Sequence, residues 1–341
     1  MALRPGQRLG PIPAYIIFDS EVSYEEGELM MRAANPFTER LVMEPKPQTI
    51  WGVPHSIWFF SMGIGGALFI NRALFGIELG RVFGLIVADV LSIVLISIAG
   101  LVLISDLGRP LRVLRALMNP RTSWISSGAI CDFVFLILDG LWLIADLEIG
   151  GQRPLAGLAW AGDSPLGIIF QIVAGAAAFI VIIYPGMVLA YSPSIPFWNT
   201  MLIPLQFLVF AFANAVGLAL IFALWVEVPP ALLMTWGIAE VLLLAGALIL
   251  FLAHLLNGAY SHTSAKVSVS RLIKGDLRLF FVWGALVGGL LLPLFLGLYG
   301  SLWANRGSGI SLLALSGLIS LAGNWFSKYA VIKAGTFAPF L

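Results

Sequence analysis

The sequence predicts an all-α polytopic membrane protein with eight transmembrane helices. Of its 341 residues, 60% are hydrophobic and only 11% are charged. A soluble domain carries roughly 45–50% and 25%. Mean hydropathy is +0.97. The apolar residues also fall in eight continuous runs, each near the roughly 20 residues that span a hydrocarbon core. Only a helix or a closed barrel satisfies its own backbone in lipid, and runs without alternation select helices. A soluble globular enzyme, a disordered chain and a disulfide scaffold are thereby excluded.

In order, the runs cover approximately 54–77, 82–104, 127–147, 165–190, 201–224, 230–256, 279–303 and 309–332. Pro110, Pro120, Pro154, Pro165, Pro193 and Pro196 fall in loops or at span edges, where helix breakers belong. Pro204, Pro229, Pro230 and Pro293 stand near span starts or inside a helix. Gly63, Gly65 and Gly66 in span 1 permit close helix contact. No strand precedes them, so they are not a dinucleotide fingerprint. Spans 1–4 and 5–8 are expected to form two four-helix bundles. Residues 1–50 mix charges with Pro and Gly, include the acidic run from Glu21 to Glu28, and lack the shape of a signal peptide. They read as an extramembrane tail contacting partner subunits. Residues 51–335 are the membrane domain, and 336–341 a short C-terminal end.

Eight spans put both ends of the chain on one side, side A, with the loops after spans 2, 4 and 6. Side A collects Arg109, Arg112, Arg115, Arg121, Lys266, Arg271, Lys274, Arg278, Lys328 and Lys333, plus Arg4, Arg8, Arg32, Arg40 and Lys46 of the tail. The opposite side B holds Arg72, Arg81, Arg153 and Arg306. The positive-inside rule makes side A cytoplasmic and the protein a multi-pass protein of the cell (inner) membrane. An Arg-rich face is equally the shape of a docking surface for a partner subunit. The net charge of +1 carries no basic excess for nucleic acid. The single Cys131 excludes an internal disulfide and a Cys-ligated iron–sulfur site, and three histidines leave little room for a metal or haem.

Ionisable groups at bilayer depth cost about 2.5–3.5 kcal/mol on insertion scales and are functional candidates. Asp89 lies in span 2. Asp132 and Asp139, seven residues apart, share a face of span 3. Glu240 and His254, fourteen apart, share a face of span 6, and Asn214 lies in span 5. Asp106, Asp132 and His254 sit toward side A, and Asp89, Asp139 and Glu240 deeper. A proton path needs groups able to exchange a proton near neutral pH, as buried carboxyl groups and histidine do. Asp89, Asp132, Asp139, Glu240 and His254 are the candidates for it. Each could equally be a hydrogen-bonded packing element.

One loop is too polar for a mere connection. It runs Ser105-Asp106-Leu107-Gly108-Arg109-Pro110-Leu111-Arg112, then Asn119-Pro120-Arg121-Thr122-Ser123-Trp124. Arginine suits bidentate recognition of carbonyl, carboxylate or phosphate groups. The same cluster also suits lipid headgroups, with Trp124 in the aromatic belt. Arg112, Arg115, Arg121 and Trp124 are the partner-docking candidates.

Here the chain resembles the NrfD-like family, the membrane subunits of polysulfide-reductase-type complexes. The loop is the first match. Others are Tyr184-Pro185-Gly186 with Ile195-Pro196-Phe197-Trp198-Asn199-Thr200, Trp51-Gly52-Val53-Pro54-His55 leading into the glycine cluster, and Lys328 to Gly335. Together they cover residues 51–335. The resemblance implies a subunit without haem or metal of its own that binds a quinone (menaquinone or ubiquinone) at one membrane face. It implies electron exchange with a ferredoxin-like iron–sulfur subunit, and a molybdopterin subunit that does the substrate chemistry. The family's quinone-site tyrosine falls on Tyr184. Its asparagine–histidine pair falls near Val53 and Ile57, a departure that leaves His55 as the histidine at hand. His55, Tyr184, Asp106 and Arg109 share the side A level and form the expected quinone site. Two other classes compete: a proton-translocating or secondary-transport module, which the buried acids fit, and a haem-b anchor, which needs two facing histidines at one depth.

Overall fold

The computed structural model describes residues 45–106, 118–304 and 307–338. The expected tail up to residue 44, and Arg109, Arg112, Arg115 and Arg306, lie outside the described residues. From Pro45 on, the chain forms one compact unit.

Among the described residues eight helices are long and apolar enough to cross a membrane. They are α1 (Val53–Phe75), α2 (Val87–Asp106), α3 (Trp124–Ile144), α4 (Pro165–Ala190), α5 (Leu202–Phe222), α6 (Pro230–Tyr260), then, after the short α7 (Thr263–Ile273), α8 (Leu279–Leu302) and α9 (Gly307–Ala334). Starts follow local chemistry. Ser123 and Ser164 accept from the backbone N–H of Ser126 and Gly167, and Pro165 and Pro230 occupy first-turn positions. The expected spans are present, with one correction. Residues 82–86, read as the start of span 2, belong with Arg81 to an antiparallel hairpin, β1 (Arg81–Val82) and β2 (Leu85–Ile86). Phe83 and Gly84 at its tip both have positive φ, 52° and 81°, the signature of a type I′ turn. An apolar run does not by itself distinguish such a turn from a helix start.

Helices α1–α4 pack as one four-helix group and α5, α6, α8 and α9 as a second; α1 and α4 meet α5, and α1 also meets α9. The helix α7 is amphipathic. It buries Ala265, Val269 and Leu272 and leaves Lys266 and Lys274 exposed. Its Arg271 donates to the Lys333 carbonyl at 2.8 Å and grips Asp276 at 3.0 and 2.7 Å. That grip holds the Asp276 carboxyl below the usual carboxylate range. The segment before α1 pairs with the segment after α9: Gln48 N–H donates to Gly335 O, and Phe337 N–H to Lys46 O.

Two charges change place relative to the sequence reading. Lys328, counted with the side A charges, lies inside α9, 2% exposed, with its ammonium 3.6 Å from the Phe207 ring centroid. Arg72, counted with the side B charges, belongs to the last turns of α1 and points into the bundle. Among the described residues, Lys46, Arg121, Lys266, Arg271, Lys274, Arg278 and Lys333 remain as side A charges against Arg81 and Arg153 on side B.

The first half of α8, Leu279–Leu291, is wound as a π-helix; Leu292 N–H still reaches back five residues to Val287 O. There Gly289 faces Gly323 of α9, backbone on backbone, and a Cβ on either would strike the other's Cα. Gly323→Val is therefore expected to prevent closure of the second bundle, since overpacking costs about 1–3 kcal/mol or more. The yield of monodisperse protein in detergent should collapse. Gly140→Ala, whose Cβ meets nothing within 4 Å, should leave it unchanged.

Candidate functional site

At side A, two aromatic residues flank a histidine in the first turn of α1. Trp51 stacks on His55 at 4.8 Å between centroids, and Trp58, one turn on, approaches the His55 ring at 6.4 Å. His55 is 8% exposed. Its Nε2 lies 3.4 Å from Asp106, the last residue of α2, whose side chain is 44% exposed. The sequence expectation that His55 and Asp106 share one level is met by contact.

Tyr184 and Asp132 also meet. Tyr184 stands on α4 beside Pro185, which lacks the N–H of a regular helical residue. Its hydroxyl donates to Asp132 Oδ2 at 3.1 Å and accepts from Trp58 Nε1–H at 3.2 Å. Gly128 of α3 leaves room for the ring, since a Cβ there would enter it. The chain His55, Trp58, Tyr184, Asp132 is thus continuous. Two of its buried atoms, His55 Nδ1 and Asp132 Oδ1, have no hydrogen-bond partner among the described residues. Arg121 and Trp124 lie beside this level, lining a cavity of about 590 Å³ with Tyr191 and Val188.

The other expected residues go elsewhere. Asp89 and Asp139 come together near side B, both fully buried, around Arg72. Arg72 Nε–H donates to Asp89 at 2.8 Å and Nη2–H to Gln171 of α4 at 2.6 Å, while Asp139 lies 3.7 Å away and accepts from Gln171 at 3.5 Å. The guanidinium is flanked by Phe69 and Trp142, at 4.7 and 4.9 Å. The sequence reading missed Arg72 and Gln171. An arginine three residues before the end of an apolar helix, level with an aspartate at the start of the next, was the available signal.

His254 does not join the side A cluster. It is 1% exposed, stacks on Phe197 at 4.4 Å, and its Nε2–H meets the Phe197 carbonyl at 2.9 Å. That geometry suits a histidine tying α6 to the α4–α5 loop. Glu240 lies in the second bundle, fully buried against Ser316 and Ser320 of α9.

The carboxyl groups therefore do not form one file. They divide into a side A group (Asp106, Asp132), a side B group (Asp89, Asp139) and Glu240. A family model described as polysulphide reductase, NrfD, matches residues 41–339. No curated protein matches the chain.

Proposed function

The chain belongs to the polysulphide reductase NrfD family, and on that premise we propose that it is the quinone-reactive subunit of a respiratory oxidoreductase. The family is one of multi-pass membrane subunits of quinone-linked oxidoreductases, which generally partner iron–sulfur and molybdopterin subunits. The proposal beyond this is specific. The side A cluster meets the quinone head, electrons pass between the quinone pool and a ferredoxin-like iron–sulfur subunit docked on side A, and protons enter or leave on that side. The Arg-rich face, side A, is taken as cytoplasmic.

The observation that carries the reading is the pair of buried unpartnered atoms, His55 Nδ1 and Asp132 Oδ1, on one connected cluster. A quinone supplies two-electron, two-proton redox chemistry, and its carbonyls want hydrogen-bond donors. His55 supplies a ring N–H, held in place by Trp51 and Asp106. Asp106, half in water, exchanges that proton with solvent. Tyr184 orients Asp132, which holds the second proton. Arg109, by its place after Asp106 in sequence, is assigned to the same head group or to partner docking.

The test is quinol oxidation by the whole complex with decylubiquinol and with a short-chain menaquinol. His55→Ala is expected to lower turnover about 100-fold, the scale of a lost proton donor, with the partner subunits still co-purifying. Unchanged turnover with both quinols would sink this site.

A further inference from the structure

The second bundle holds a polar line that the quinone reading does not use. Ser316, Ser320, Asn324 and Lys328 follow one another at four-residue spacing on α9, so they share a face. All are buried, at 0, 1, 1 and 2% exposure. Four polar side chains on the buried face of a membrane helix are costly unless something meets them.

What they face is fixed by two contacts with α5. A Cβ on Gly217 would lie 3.1 Å from Gly317 Cα, and the Lys328 ammonium lies over the Phe207 ring. These set the antiparallel register of the two helices. Asn214, three residues from Gly217 and seven from Phe207, falls on the same α5 face between them, level with Ser320 and about one turn from Asn324. Asn214 is 1% exposed. Among the described residues, neither its amide nitrogen nor its oxygen has a partner, and the same holds for Asn324. Each unsatisfied buried group costs about 1–3 kcal/mol. Buried polar groups in native proteins are satisfied by protein or by ordered water.

Glu240 closes one end of this line. The Ser316 hydroxyl lies 2.9 Å from Glu240 Oε2 and 2.9 Å from the Pro293 carbonyl. The Ser320 hydroxyl lies 3.2 Å from Glu240 Oε1 and 3.0 Å from the Gly317 carbonyl. Two hydroxyl protons thus face four acceptors. A proton on the Glu240 carboxyl supplies a third donor, which the geometry accommodates. Toward side B the line stops at an apolar plug of Leu220, Leu233 and Leu313, 0, 3 and 0% exposed. Toward side A, Phe207 carries Lys328 to the edge of the other cluster: it meets Phe59 at 5.4 Å, and Phe59 meets Trp58 at 4.6 Å.

We propose that the α5–α9 seam is a blind, water-filled proton path, entered at its Lys328 end, that loads one proton onto Glu240. Waters held by Asn214, Ser320 and Asn324 relay it between Lys328 and Glu240. In the loading direction the Lys328 ammonium gives up a proton and becomes an amine, each water accepts one proton and passes one on, and the Glu240 carboxylate becomes a carboxyl group. No electron moves. The apolar plug makes the path a loading site and not a through-channel. Its use by quinone chemistry rests on the side A reading above; the path itself does not.

Infrared spectroscopy of the whole complex in liposomes tests the path without quinone turnover. The pH is lowered until the carboxyl band missing from Glu240→Gln appears, and the buffer is then changed to D2O. The band is expected to shift promptly. In Asn324→Leu, and separately Asn214→Leu, exchange is expected to slow by about tenfold or more, a barrier rise of about 1.4 kcal/mol. Asn324→Ser, which keeps a hydroxyl at the seam, should exchange as the parent does, and shows that the position tolerates change. Three results would overturn the proposal: no Glu240 band even in acid, a band that never exchanges in the parent, or leucine variants that exchange at the parent rate.

Discussion

Arg72→Ala is expected to leave little folded protein in the membrane. In the parent, one guanidinium faces two fully buried carboxyl groups, Asp89 at 2.8 Å and Asp139 at 3.7 Å. Removing one partner of a buried pair costs about 3–5 kcal/mol, because the remaining charge has neither water nor a counter-ion. The arginine also fills the space between Phe69 and Trp142, which alanine would leave empty. Arg72→Lys keeps the charge but cannot reach Asp89 and Gln171 at once with a planar fork, so it should fall between the two. The triple variant Arg72→Ala, Asp89→Asn, Asp139→Asn removes the charges but leaves the same empty space between Phe69 and Trp142. It should recover a large part of the loss, measured as thermal stability of the detergent-extracted complex. An Arg72→Ala protein as stable as the parent would show that the cluster is not held by its charges. A triple variant as unstable as Arg72→Ala would assign the loss to packing between Phe69 and Trp142.

The eight spans were legible because lipid imposes one strong rule on every residue of a helix: apolar side chains and a self-satisfied backbone. The start of α2 escaped because Val82, Leu85 and Ile86 obey the same rule while belonging to a hairpin. The buried acids were legible one at a time, each as a charge in an apolar run. Their grouping was not, because it depends on partners far off in sequence. Asp132 meets Tyr184 fifty-two residues later, and Arg72 meets Gln171 ninety-nine residues later. Depth along a helix placed Asp106 level with His55 correctly, but depth says nothing of the angle around the bundle. That is why His254, at a similar level, faces Phe197 instead. Lys328 misled for a simpler reason. A lysine in the last turns of a span reads as a charge at the membrane face, and only the four-residue spacing from Ser316 through Asn324 tells of a buried face. That spacing was present in the sequence and went unused.

Asp132→Asn should lower turnover at least as much as His55→Ala, and more than Tyr184→Phe. The Tyr184 hydroxyl is already committed twice, donating to Asp132 and accepting from Trp58. It is 1% exposed, and its ring is packed against Gly128. Under the proposed reading it positions Asp132, while the free Oδ1 of Asp132 holds the proton that the reaction exchanges. Asparagine keeps the shape of the aspartate and can still accept from Tyr184, but it cannot take up and release a proton. Turnover is expected to fall by about 100-fold or more, within the range for a lost general acid or base. The apparent KM for decylubiquinol should move little. Tyr184→Phe leaves Trp58 Nε1–H and Asp132 Oδ2 unpaired, at about 1–3 kcal/mol of stability. Its turnover should fall about tenfold, since each 1.36 kcal/mol of lost alignment in the transition state is tenfold in rate. The pH profile separates the roles. Asp132→Asn should flatten the dependence of turnover on pH, whereas Tyr184→Phe should keep its shape and lower its height. If Tyr184→Phe were the more damaging and flattened the profile itself, the tyrosine would be the proton donor and Asp132 its support.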